Sequence, residues 1–192
     1  VKKIIERLQT LMAEESLVED ALVGAVEETA QAPAPEEASS TEPVGTELPV
    51  YAPVTLSVRS PDAFYEYRTA SVLTAQMSEV IESEGPVSQA VLFRKVARAW
   101  GLERTGSRIV ERLKALAPPS VRKTFEGPNT FYWPKSVQHG SLGHFRIAND
   151  TSASKRHIDE VCIEEISALA LQVLHQAGSA PRQDVARSVC RL

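Results

Sequence analysis

The chain has 192 residues, 43% of them hydrophobic, which is enough for one or two small domains with a real core. No apolar run approaches the ~20 residues of a membrane-spanning helix, no signal peptide opens the chain, and two cysteines, Cys162 and Cys190, are too few for a disulfide framework. The net charge of −4 hides an asymmetry: residues 1–50 carry three Lys/Arg against eleven Asp/Glu, while residues 85–135 carry ten against three, so a local polyanion-facing surface is expected inside an acidic chain.

Val1, Ile5, Leu8 and Met12 recur at helical spacing, with Ile4 and Leu11 beside them, and predict an amphipathic helical segment in 1–27. The chain starts at Val1 without Met, which is expected of a piece of a longer cytoplasmic protein, with this helix the tail of an upstream domain. Residues 28–59 read as a disordered Pro/Ala/Glu linker, because almost no large apolar side chain is there to offset ordering entropy. Ser60-Pro61-Asp62 is a helix-start pattern and opens a domain over 60–135. Phe64 to Tyr67 fits either a helix or an extended strand. Val72, Leu73, Met77, Val80 and Ile81 form the stripe of a first helix that stops at Gly85-Pro86. Ser88 can cap a second helix that ends at Gly101, and Thr105 a third that Pro118-Pro119 stops. Val121–Phe125 and Thr130–Trp133 flank Glu126-Gly-Pro-Asn129 and read as a β-hairpin. Three helices followed by a hairpin is the order of a winged helix-turn-helix, so the expected class is mainly α with a small β-hairpin.

A connector is expected over 136–157 and a helical pair over 158–192. Shifted by 93 residues, the sequence partly matches itself: Leu73 falls on Ile166, Val80 on Val173, Gly85 on Gly178 and Arg94 on Arg187. Two readings follow. Residues 164–192 are a partial second winged-helix repeat, ending at the counterpart of Ala99, or they are a helical hairpin that closes the single domain.

Val80-Ile-Glu-Ser-Glu-Gly-Pro-Val87, Arg98-Ala-Trp-Gly-Leu-Glu-Arg-Thr-Gly-Ser-Arg-Ile109 and Phe131-Tyr-Trp-Pro134 resemble a domain of unknown function. That domain is found near the C-terminus of large bacterial superfamily-one helicase-related proteins. Arg156-His-Ile-Asp-Glu160 and Glu164-Glu-Ile166 resemble a stretch that follows it in the family. The resemblance covers about Arg68 to Leu192 and implies upstream partners in the parent chain: a helicase motor and a module like the very-short-patch-repair endonucleases. The Val1–Ala13 helix looks like the last helix of such a nuclease module. This chain has no phosphate-loop motif of the motor.

Catalytic options fail on residue types, so no enzyme activity, cofactor or metal is expected of this chain. His139, His144, His157 and His175 have no Cys-x-x-Cys companion, and Gly140-Ser-Leu-Gly143 is not a nucleophile elbow. Glu164-Glu165 reads as an acidic first helical turn favoured by the helix dipole. Nucleic acid is the partner with positive support. Arg104, Arg108 and Arg112 follow at i, i+4 and i+8 on the third helix, Lys114 extends that side, Arg122 and Lys123 open the wing, and Asn129 tips it. In a helix-turn-helix such residues meet base edges and phosphates. The bland account is a solvated face, with Glu111 repelling phosphates. Trp100, Phe125, Phe131, Tyr132 and Trp133 are expected in the core and as wing anchors, not as base-stacking platforms. An accessory DNA-binding module and a protein-docking or dimerisation module both stay open.

Overall fold

The computed structural model describes residues 48–138, 140–177 and 181–189. The helix expected in 1–27, the linker as far as residue 47, His139 and Cys190 lie outside the described residues. The remainder is mainly α with a small three-stranded antiparallel sheet.

Pro61 opens a 3-10 helix, Pro61–Tyr65, although the Ser60 side chain makes no capping bond. A second 3-10 turn spans Tyr67–Thr69 and leads into helix α1, Ala70–Glu84. The sequence stripe Leu73, Met77, Val80 and Ile81 is fully buried there. α1 stops at Gly85, whose backbone is extended before Pro86; only glycine fits there, since a Cβ would collide with the Ile81 carbonyl and the Pro134 ring. A short strand, β1 (Val87–Ser88), follows the cis Gly85–Pro86 bond. Ser88 then caps helix α2, Gln89–Ala99, accepting from the Val91 N–H at 3.3 Å. Gly101, at φ 71°, turns the chain away. Helix α3 spans Ser107–Leu116 and is entered from Gly106 with no side-chain cap, so Thr105, the expected cap, is not one.

Strands β2 (Arg122–Glu126) and β3 (Asn129–Trp133) form the hairpin, and β1 adds to β3, giving the order β1-β3-β2. The pleat sends alternate side chains to opposite faces. Tyr132 joins the helical core of Phe64, Met77, Leu92 and Leu113, while Phe131 and Trp133 pack on Leu142 and Cys162. The sheet is therefore covered on both sides. Composition assigns 48–59 to the linker, yet these residues pack on the domain. Tyr51 and Leu56 are buried, and the Arg59 N–H donates to the Ala99 carbonyl at 2.8 Å.

Helices α4 (Ile163–Ala177) and α5 (Arg182–Val189) build a second core with Val161, Ile166, Leu169, Val185 and Val189. The limits of α4 are those of α1 shifted by 93 residues, and α5 begins where α2 does under the same shift. Ile166 is buried like Leu73, and Val185 and Val189 like Leu92 and Val96.

Two buried carboxylates join these parts. Glu84, at the end of α1, accepts from the Tyr51 hydroxyl, the Lys95 ammonium and, at 2.7 Å, the Val54 N–H. Glu165 is 0% exposed. Arg156 donates to it at 2.7 and 2.8 Å, and the Arg146 guanidinium at 3.0 and 3.1 Å. Arg146 also donates to the carbonyls of Glu84, Gly85 and Pro86 at 2.6, 3.2 and 3.1 Å. Burial works to raise the Glu165 pKa, but Arg156 and Arg146 outweigh it and hold the carboxyl below its ordinary range. The acidic first turn read from Glu164-Glu165 is thus corrected at Glu165: it is the anion of a buried Arg–Glu–Arg cluster.

Removing that anion leaves two guanidiniums buried without a counter-charge. Glu165→Gln is expected to cost about 3–5 kcal/mol in urea denaturation. The native carboxyl's pKa is lowered, so its stabilisation is complete above the ordinary carboxylate pKa and is lost as pH falls through the native value. Acid should therefore narrow the gap between the wild-type chain and Glu165→Gln, which paired denaturation curves at neutral and acid pH will read.

Candidate nucleic-acid interface

The basic residues expected to share one surface separate on folding. Arg104 is exposed but sits in the bend before α3, not on the helix. Arg108 is exposed, its guanidinium 5.2 Å from the Tyr65 ring centroid. Arg112 turns inward: it is half-buried, Nη2 donates to the Glu66 carbonyl at 2.7 Å, and Nε is buried without a hydrogen bond. The Arg104/Arg108/Arg112 stripe is therefore corrected to one helical arginine at the surface, because α3 starts three residues after Arg104 and Arg112 is drawn to the Glu66 carbonyl. Lys114 is exposed, and so are Glu111 and Glu103.

On the hairpin the pleat divides the pair Arg122 and Lys123. Arg122 lies over the Trp133 ring at 4.5 Å on the Phe131/Trp133 side, with Nε and Nη2 buried and unbonded. Lys123 is exposed on the other side, its Nζ 5.2 Å from the Tyr132 centroid. Asn129 is half-buried as the first residue of β3, paired with Glu126, so it does not form the tip. Gly127, at φ 58°, and Pro128 make the turn.

Two residues acquire meanings that composition hid. Phe125, expected to anchor the wing, is 76% exposed, whereas Trp100, Phe131, Tyr132 and Trp133 are buried as expected. Period-two alternation already places Phe125 with Lys123 and opposite Arg122. What the sequence lacked was which side of the hairpin edge carries cover. Glu126, an apparent intruder among the basic residues, accepts the Ile163 N–H at 3.0 Å and so holds the start of α4 against the hairpin.

Among the described residues, no cluster of three or more His, Cys, Asp and Glu could hold a metal ion. Cys162 is buried, and burial, then the charge of Glu165, push its thiol up to about 12. No helix among the described residues is long and apolar enough to cross a membrane.

Residues 62–111 match the model of a family described as a protein of unknown function (DUF3320), a span from the first 3-10 helix into the first half of α3. No curated protein and no solved structure matches the chain.

The division between internal and surface arginines is testable. Arg112→Ala removes a charged donor from a half-buried carbonyl and should cost about 1.5–3 kcal/mol. Arg108→Ala removes an exposed side chain whose guanidinium rests on the Tyr65 ring and should cost no more than ~1 kcal/mol, read from the midpoint of thermal denaturation.

Proposed function

We propose that the unit from Pro61 to Trp133 is a winged helix-turn-helix serving as an accessory nucleic-acid-contacting module, itself without catalytic activity. Supporting the fold reading is the order α1-β1-α2-α3-β2-β3, with β1 added to the hairpin. The contact surface we assign is narrower than the sequence suggests: Arg104, Arg108 and Lys114 around α3, with Lys123 and Phe125 on the hairpin. In line with the sequence resemblance, the parent protein would be helicase-related, and the module would help seat it on DNA.

The observation that carries the reading is Phe125. A phenylalanine left 76% exposed on a hairpin whose other aromatics are 0–2% exposed is poor packing but a ready stacking surface. A neighbouring lysine supplies phosphate attraction, and a stacked base is worth ~1–3 kcal/mol. The competing reading is protein docking. Val58 and Tyr67, 82% and 94% exposed, favour it, because they leave large apolar side chains open to water.

We also read α4 and α5 as a second copy of α1 and α2. Three features support this: the shared helix limits, the burial of Ile166, Val185 and Val189 at the positions of Leu73, Leu92 and Val96, and matching hydroxyls. Thr74 donates to the Ala70 carbonyl at 3.1 Å, and its counterpart Ser167 donates to the Ile163 carbonyl at 2.9 Å.

Binding of fluorescent single-stranded and duplex oligonucleotides across a salt series tests the function. Affinity should fall steeply with salt, because each neutralised phosphate releases counterions. Phe125→Ala should weaken single-strand binding by roughly 5–100-fold, the range of one lost stacking contact. Salt-insensitive binding, or full affinity in both Phe125→Ala and Arg108→Ala, would reject the nucleic-acid reading in favour of docking.

A further inference from the structure

β2 is an edge strand. The sheet order is β1-β3-β2, so β3 is paired on both sides and β2 on one. The two-residue turn Gly127-Pro128 joins Glu126 to Asn129, which are register partners. In a hairpin with so short a loop, the flanking pair exchanges both backbone hydrogen bonds. Arg122, Thr124 and Glu126 therefore turn their N–H and C=O groups toward β3, and Lys123 and Phe125 turn theirs away from it. β1 agrees with this parity, since it pairs Val87 with Tyr132, the partner of Lys123, on the opposite side of β3. Among the described residues no strand lies along the outer side of β2, and no backbone hydrogen bond reaches Lys123 or Phe125 there. Both side chains are exposed as well.

Outward N–H and C=O groups on extended backbone are a template for another strand. Which strand fits is written in the sequence: Arg122-Lys-Thr-Phe-Glu126 is complementary to its own reverse. Set antiparallel about a two-fold axis at Thr124, Arg122 stands opposite Glu126 of the second copy, Lys123 opposite Phe125, and Thr124 opposite itself. Each Lys123–Phe125 pair brings together two residues whose backbone groups point outward, so every one of those groups gains a partner. Opposed charges, and an ammonium beside an aromatic ring, are side-chain pairs that stabilise a ladder. The neighbouring registers of the same parity lack this match. An axis at Lys123 sets lysine against lysine, and an axis at Phe125 sets Lys123 against the turn at Gly127. An edge lysine ordinarily discourages strand addition, but the Thr124 register supplies it with a partner.

We propose that the outer edge of β2 is a self-association surface, on which two copies of this chain pair β2 antiparallel about Thr124 and join their sheets into one of six strands. The contact is isologous, the same five residues serving on both sides. It is small beside a standard protein interface, so the dimer forms as the chain concentration rises. Lys123 and Phe125 of both copies fall on one face of the joined sheet. The association itself uses backbone groups and does not rest on the nucleic-acid reading.

Sedimentation of the full chain, without nucleic acid, should show a dimer fraction that grows with concentration up to ~1 mM. Thr124→Cys in a Cys190→Ser background should give a disulfide-linked dimer under mild oxidation, because a non-hydrogen-bonded antiparallel pair holds its Cα atoms ~4.5 Å apart. Cys162 is buried and should stay out of the reaction. Lys123→Pro removes an outward N–H and leaves the ladder to β3 intact. It should cut the cross-link at least ten-fold, whereas Lys123→Ala, which keeps that N–H, should retain it within a few-fold. In hydrogen exchange of the wild-type chain, the amides of Lys123 and Phe125 should slow at least ten-fold between dilute and concentrated samples, and that of Tyr132 should not. A chain that stays monomeric at ~1 mM, or exchange at Lys123 and Phe125 that ignores concentration, would overturn the proposal. So would a Lys123→Pro chain that cross-links as readily as one with Lys123. Phe125→Ala keeps both outward backbone groups, so oligonucleotide affinity lost there while the dimer persists separates this proposal from the nucleic-acid reading.

Discussion

A carboxylate with no access to water must be fully bonded or protonated, and Glu165 is where this constraint organises the molecule. Its two oxygens take donors from Arg146 and Arg156, and Arg146 spends its remaining N–H groups on three consecutive carbonyls at the end of α1. One guanidinium thus joins the second unit to the turn that ends the first helix of the first. The planar fork is what makes this possible, since a lysine in its place could not address a carboxylate and a row of carbonyls together. Arg156 is over the Tyr51 ring at 4.5 Å, and Tyr51 donates to Glu84, so both buried carboxylates share one aromatic spacer. Such a cluster contributes little net stability against an apolar equivalent, but it tolerates only one arrangement. It therefore fixes the register between the units more than it strengthens their contact.

The double-sided sheet has a consequence for function. A free hairpin would leave both of its faces open. Here one face is closed by Leu142, Cys162 and the Glu126 contact to Ile163, so Arg122 serves packing and only Lys123 and Phe125 look outward. The same division runs through α3, where Arg112 is drawn in and Arg108 stays out. Of the block of ten basic residues, those around α3 that stay exposed are interspersed with the exposed Glu103 and Glu111.

Much of the first unit was legible because its signals are local. The stripe Leu73/Met77/Val80/Ile81, the Ser88 cap, the Gly85-Pro86 stop and the turn at Gly127-Pro128 each act within a few residues. The 93-residue offset was readable for the same reason, since apolar spacing is written in the sequence, and the limits of α1 and α4 differ by the same 93 residues. What escaped was every feature decided by a distant partner. Arg146 sits in a Gly-rich connector, and nothing within ten residues of it announces a buried carboxylate. Tyr51 lies in a stretch whose prolines read as linker, and its burial depends on Glu84, 33 residues away. Thr105 failed as a cap because Gly106 already provides the extended backbone that precedes α3.

The arginines make the limit concrete. Periodicity can tell whether Arg104, Arg108 and Arg112 lie on one helical side, but not where the helix begins or whether a carbonyl waits beside the chain. Arg112 adds a donor to the Glu66 carbonyl, which lies between two 3-10 turns and already accepts from the Thr69 hydroxyl at 2.7 Å. That contact depends on how residues 61–69 fold, and no spacing within α3 announces it.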